Sequence, residues 1–376
     1  MRFVSPILKG VVYPCLAAAG YFRRVARQGL AVITYHGVLP QGFTPIDPGF
    51  DGSLITAEVF RQQLRLLKSR YTIVSPDDMR NWCQNRGDLP PRAALLTCDD
   101  GFLNNLTEMV PVLQDEGLKC LFFVTGASVT DQRTMLWYEE LQLLYLRAPA
   151  GDFTLSCDSA EISGCLGERE QRRAQWWSAV KQLSQIDAEA RERFLQSAHE
   201  SFGMERSLDF YLATYPETQR HFCLLTRTEL QQLAAAGMTI GAHTLSHPVL
   251  SQLPPELAWS EIAESRTRLE SALGTQVWAF AYPFGDAASV TPRVVAMTKQ
   301  AGFEAAFMNI GGGLGSSLPH HAIPRVHVNA GMSLAEFEAH VSGFYESLQQ
   351  RLRRTPQAIL PGPEVMPEAT PNLRHA

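Results

Sequence analysis

The chain of 376 residues carries 33 Lys and Arg against 38 Asp and Glu, a formal net charge of −5. That balance lacks the basic excess nucleic-acid binding draws on, so no nucleic-acid partner is expected. The length permits a large buried core, and seven cysteines, odd in number and without CxxC spacing, fit a reducing compartment better than a disulfide framework.

Residues 1–30 form an N-terminal segment in which an apolar stretch from Phe3 to Phe22 precedes the basic cluster Arg23, Arg24 and Arg27. Pro6, Lys9 and Pro14 interrupt it too much for a membrane-crossing helix, and basic residues after the apolar part reverse the order of a signal peptide. Two readings fit: an amphipathic segment on the inner membrane surface with its Arg towards anionic lipid, or a helix packed on the following domain. The expected location is cytoplasmic, and peripheral to the inner membrane under the first of these two readings. From residue 31 to 345 apolar runs that read as strands alternate with helical stripes. The strands are Ala31–Tyr35, Ala93–Thr97, Cys120–Thr125, Met238–Ala242, Val277–Tyr282 and Phe303–Phe307. Thr56 precedes the stripe Val59, Phe60, Leu64 and Leu67; Thr226 and Glu229 form a capping box; Leu257 to Leu273 is stopped by Gly274. This alternation predicts an α/β fold with a parallel sheet, whose catalytic groups collect at the C-terminal strand ends. Residues 131–225 break the rhythm with a mostly helical, charge-rich insertion, either a roof over the site or a decoration that only packs on the domain. Residues 346–376 read as a C-terminal tail, polar and Pro-rich from about Thr355 and expected to be disordered.

Two motifs sit at predicted strand ends. Thr97-Cys98-Asp99-Asp100-Gly101 places adjacent carboxylates beside a buried strand, a costly pair unless a cation or donor intervenes. One Asp can then hold a metal while the other stays free for proton transfer; a plain Asp-Asp-Gly turn is the competing account. His243-Thr244-Leu245-Ser246-His247 follows another strand, and imidazole pairs suit Zn²⁺ and similar divalent ions. Pro248 disfavours a helix carrying both His residues. Cys98 reads as a small buried residue rather than a ligand.

With these motifs in this order the chain resembles the NodB-type polysaccharide deacetylases, carbohydrate esterase family four. The match rests on TCDDG and HTLSH, with Cys98 in place of the usual aromatic. Tyr35-His36-Gly37-Val38, Phe280-Ala281-Tyr282-Pro283-Phe284-Gly285 and Ile323-Pro324-Arg325-Val326 support it through their order. The layout is nearest the branch that acts on poly-N-acetylglucosamine. The resemblance implies a deformed (β/α) barrel with the insertion added, over residues 31–345. It implies that Asp100, His243 and His247 bind a divalent metal ion, Zn²⁺ first and Co²⁺ or Ni²⁺ next. Asp99 would be the base that takes the proton from water. A backbone N–H near Phe284 would help hold the oxyanion.

The general acid would be His36, at a strand end, in preference to His320 of the formal Leu318-Pro319-His320 match. The family's arginine that pairs with the base is missing from the aligned Ala281-Tyr282-Pro283-Phe284, and Arg325 is expected to fill its place. The implied substrate is an N-acetylated glycan or lipid-linked sugar, with Trp137, Tyr138, Trp278 and Tyr282 as candidates to stack on the ring. O-acetyl ester removal and a catalytically silent carbohydrate-binding module are the alternatives.

Overall fold

The computed structural model describes residues 5–352 apart from 27, 41, 44–51, 158–159, 215–217 and 312–318. Eight strands make the main sheet: β1 (Gly29–Tyr35), β2 (Thr72–Ile73), β3 (Arg92–Cys98), β4 (Leu121–Val124), β5 (Thr239–Ala242), β6 (Ala279–Ala281), β7 (Ala305–Phe307) and β8 (Val326–His327). All pairs are parallel, in the order β7-β6-β5-β4-β3-β1-β8, with β2 along the start of β3. Ile323 bridges Phe307 of β7, and three residues later Val326 pairs with Ile33 of β1. One short segment thus brings the two sheet edges together and closes a deformed barrel.

Side chains alternate along a strand, and the two faces here are both apolar, as a sheet wrapped in helices requires. Val32, Leu95, Leu121, Phe123, Ala279, Ala281 and Phe307 share one cluster, the barrel interior. Ile33, Leu96, Phe122, Ile240 and Phe280 share the other with helix residues such as Phe60, Leu64, Ile262 and Leu269. Gly241 has no room for a side chain, since a Cβ there would lie 2.6 Å from the Phe123 ring.

The helices follow their sequence signals. Thr56 caps Ala57–Arg70 by accepting from Val59 N–H, and the Thr226–Glu229 capping box opens Arg227–Ala235. Pro255–Leu273 ends at Gly274 in the left-handed region. The insertion is less helical than its composition implied. Besides the helices Trp137–Arg147, Arg169–Leu183, Ala188–Ser201, Leu208–Thr214 and Thr218–Phe222 it holds an antiparallel hairpin, Gly151–Cys157 with Ala160–Leu166. It has its own core, including Leu141, Tyr145, Leu155, Ile162 and Phe194. The expected tail begins later than residue 346, because the helix Phe344–Leu352 runs through that point; residues 353–376 lie outside the described residues. At the other end, Tyr13 and Phe22 of the N-terminal helices pack on Ala339 and Phe344.

Candidate active site

Alternation carried one step past the strand ends points several polar residues into the mouth of the barrel. Val32, Thr34 and His36 share a side, as do Leu95, Thr97 and Asp99, and Gly241 and His243. Thr34 and Thr97 sit 3.1 Å apart through their hydroxyls, and Asp99 N–H donates to the Tyr35 carbonyl at 2.9 Å. The loops beyond are strained. Of five described non-glycine residues at positive φ, four lie here: Asp100 (74°), Thr244 (63°), His247 (58°) and Phe284 (60°). Each costs roughly 1–3 kcal/mol and persists only where the surroundings enforce it.

Asp99 and Arg325 form a buried bidentate pair, Nη1 to Oδ1 at 2.7 Å and Nη2 to Oδ2 at 2.6 Å. The guanidinium is fully buried, over the Phe123 ring, with Nε donating to the Met308 carbonyl at 3.0 Å. Burial alone would raise the Asp99 pKa, but Arg325, then His243, outweigh it and hold the carboxyl at about 2. Asp99 is therefore an oriented carboxylate at neutral pH.

Asp100 has the opposite character. Burial, then the neighbouring Asp99 charge, pushes it up to about 8. Its Oδ1 lies 3.6 Å from His243 Nε2 and 3.5 Å from His247 Nε2, and has no hydrogen-bond partner among the described residues. His243 Nδ1 lies 2.8 Å from the Ala281 carbonyl; donating there leaves the Nε2 lone pair directed at the gap. Burial lowers the pKa of both His residues, keeping them neutral. One carboxylate and two neutral imidazoles, with ligand atoms all within 4.8 Å of one another, fit a divalent cation and leave room for further ligands. A cation there would relieve both the orphaned oxygen and the raised Asp100 pKa.

His36 lies at the end of β1, its ring 4.9 Å from that of His327. Burial, then His327, lowers its pKa to about 3. Both imidazoles share the barrel mouth, and His36 lines a cavity of about 260 Å³ with Asp99, Asp100, His243, His247 and Phe284. The insertion supplies Tyr138, Glu139, Trp176, Trp177, Val180, His221 and Phe222 to the same cavity, so it roofs the site. The Tyr138 hydroxyl donates to the Asp100 carboxylate, and its ring lies 5.1 Å from His247.

Other candidates fall elsewhere. His320 packs on the Trp82 ring, away from the cavity lining, and Leu318 is outside the described residues. Trp278 is buried in the barrel interior beneath Arg80 and cannot stack on a ligand. Trp137 packs on Arg191 instead of lining the cavity. Tyr282 touches the cavity, but its hydroxyl is bound to Thr298 and the His321 carbonyl. Cys98 is buried outside the barrel and takes no part in the ligand cluster.

The structure adds residues that the motifs did not name. His327 stands two positions after Arg325, a spacing that could have flagged it. Glu261 accepts from Leu245 N–H, Ser246 N–H and the Ser246 hydroxyl, fixing the loop between His243 and His247. Arg191, from the insertion, donates to the Ser246 hydroxyl at 2.5 Å. Neither carries a local signal, since each acts through distant backbone.

Comparison with known proteins agrees with this geometry. Residues 207–312 match the family model "Polysaccharide deacetylase", a stretch that includes HTLSH and Ala281-Tyr282-Pro283-Phe284-Gly285. A putative polysaccharide deacetylase of Bacillus subtilis, YxkH, is 27% identical over 117 residues, 31% of this chain and 41% of the relative, so the match spans under half of that protein. The fold is shared with the Streptococcus pyogenes deacetylase PplD (TM-score 0.52, 14% identity, 84% of this chain and 99% of that one). It is shared equally with IcaB from Ammonifex degensii (TM-score 0.51, 20% identity, 84% and 98%). TCDDG and HTLSH converge on one barrel mouth, and the chain is similar there to the polysaccharide deacetylases, whose family model matches residues 207–312.

Proposed function

We propose that this protein is a metal-dependent hydrolase that removes N-acetyl groups from an N-acetylated sugar, in a bacterial polysaccharide or its lipid-linked precursor. The observation that carries the reading is the pairing of an oriented carboxylate, Asp99 on Arg325, with the Asp100–His243–His247 cluster on one cavity floor. A divalent ion held by that cluster, Zn²⁺ first, supplies Lewis acidity towards an acetyl carbonyl and acidity to a water. Asp99 takes the proton of the attacking water, and Arg325 keeps both carboxylate oxygens in place while it does so. His36 is neutral at rest; negative charge growing on the attacked carbonyl oxygen raises its basicity, so it takes up the proton that Asp99 removed from the water and passes it to the departing amine. The roof of Tyr138, Trp176 and Trp177 offers aromatic faces to a sugar ring and excludes water.

The test is acetate and amine release from N-acetylglucosamine oligomers, compared with acetate release from O-acetylated xylan oligomers. Amine release with the ester substrate slower is expected. Rapid ester cleavage without amine release would assign the site to O-deacetylation, and inactivity on both with metal bound would favour a binding role.

A further inference from the structure

The N-terminal helices fasten one face to the fold and leave the other bare. Tyr13 and Phe22 are buried against the Phe344 region, with Leu8 and Leu16 beside them. On the outer side Ile7 is 62% exposed, Val11 58% and Val25 37%, while Tyr21, 38% exposed, keeps its ring edge-on to Phe344 at 5.8 Å. Four of the nine large exposed hydrophobics among the described residues thus fall between positions 7 and 25. Ile7 and Val11 lie one helical turn apart, and the exposed Arg23 and Arg24 stand beside Val25. The first carboxylate of the sequence is Asp47, whereas Arg2, Lys9, Arg23, Arg24 and Arg27 precede it. Lys9 is held by Glu336 at 2.7 Å; Arg23 and Arg24 have no ion-pair partner among the described residues.

We infer that this face seats the protein on an anionic lipid bilayer, lying in the interface without crossing it. Ile7, Val11 and Val25 enter the headgroup boundary while Arg23 and Arg24 meet lipid phosphates. No described helix is long and apolar enough to span a membrane, which agrees with a surface mode. A second copy of the chain fits less well, because a two-fold contact would set Arg23 and Arg24 against their own counterparts. The inference is independent of the deacetylase reading.

Co-sedimentation of the full chain with phosphatidylcholine vesicles, with and without phosphatidylglycerol, tests it. Binding is expected only with phosphatidylglycerol and falls as salt rises. Arg23→Gln with Arg24→Gln should weaken it roughly 30-fold, from the worth of two basic side chains near a charged surface. Ile7→Ser with Val11→Ser should weaken it by at least about tenfold through lost apolar burial. Thermal unfolding and turnover of soluble oligomers should match wild type in both variants, which separates a lost surface from a lost fold. Absence of phosphatidylglycerol-dependent binding, or equal binding by all three proteins, would overturn the inference. So would a dimer in solution abolished by Ile7→Ser with Val11→Ser, since that gives the face to a second copy.

Discussion

Two adjacent buried aspartates differ widely in proton affinity because a guanidinium outweighs burial at one, while at the other burial prevails and the neighbour's charge adds to it. Asp99 is held at about 2 and Asp100 is pushed up to about 8. The motif alone showed that such a pair needs a cation or a donor; here Arg325 serves Asp99, and two imidazoles leave a gap beside Asp100. Arg325 was legible from its place beside Pro324, but its bidentate geometry depends on how the chain closes the barrel. The raised Asp100 pKa makes metal-free stability depend on pH. Between its ordinary 3.8 and about 8 the folded carboxyl binds more proton than the unfolded one, so stability falls as pH climbs through that window. His36, His243 and His247 act oppositely: their lowered values remove stability as pH falls below 6.5. Between about pH 6.5 and 8, where the Asp100 effect stands alone among these four, metal-free protein should lose thermal stability with rising pH. Saturating Zn²⁺ should remove that slope, and calorimetry in two buffers near pH 7 should show close to one proton released on binding. A flat metal-free profile would contradict the buried, charge-opposed environment of Asp100.

At the scale of elements, the strands that carry chemistry were readable and the peripheral ones were not. β1, β3, β4, β5, β6 and β7 are buried on both faces, which forces nearly continuous apolar runs into the sequence. β8 is two residues long, and the insertion hairpin mixes Gly, Asp, Ser and Glu on exposed positions, so neither leaves a run to detect. Sequence also left open whether residues 131–225 touch the chemistry. The helix Ala188–Ser201 answers through Arg191, which is buried, stacks over Trp137 and bonds the Ser246 side chain and carbonyl. Glu261 holds the same serine from the barrel side. The loop bearing His247 is therefore gripped from both the insertion and the barrel. Arg191→Ala should weaken Zn²⁺ binding about 10–100-fold, the usual cost of losing a group that orients a ligand. Arg191→Lys should restore little, because one ammonium cannot replace the forked contacts to Ser246 and the Ile186 carbonyl. Competition with a chromophoric chelator reads this directly; unchanged affinity with an intact fold would show that the insertion packs on the loop without positioning it.

For the molecule as a whole, the barrel explains why motifs some 140 residues apart in sequence become neighbours. Parallel strands present every C-terminal end at one rim, so Asp99, Asp100, His36 and His243 reach the same mouth whatever lies between them. The placement of Asp99, His36 and His243 at strand ends was legible in the sequence; the left-handed turns at Asp100 and His247 were not, since neither residue is glycine. The roof was unreadable for another reason: Trp176, Trp177 and His221 come from an added unit with its own core. In the proposed function, one ion held by Asp100, His243 and His247 works with a free Asp99 to cleave an acetamide. The most direct measurement is metal content alongside amine release from N-acetylglucosamine oligomers, for wild type, Asp100→Ala and Asp99→Asn. Wild type should hold one divalent ion per chain, and Asp100→Ala should lose both metal and turnover. Asp99→Asn should keep its metal while turnover falls by about 10²–10⁴-fold, the range for losing a general base. Full metal occupancy in Asp100→Ala, or undiminished turnover in Asp99→Asn, would contradict the proposed function.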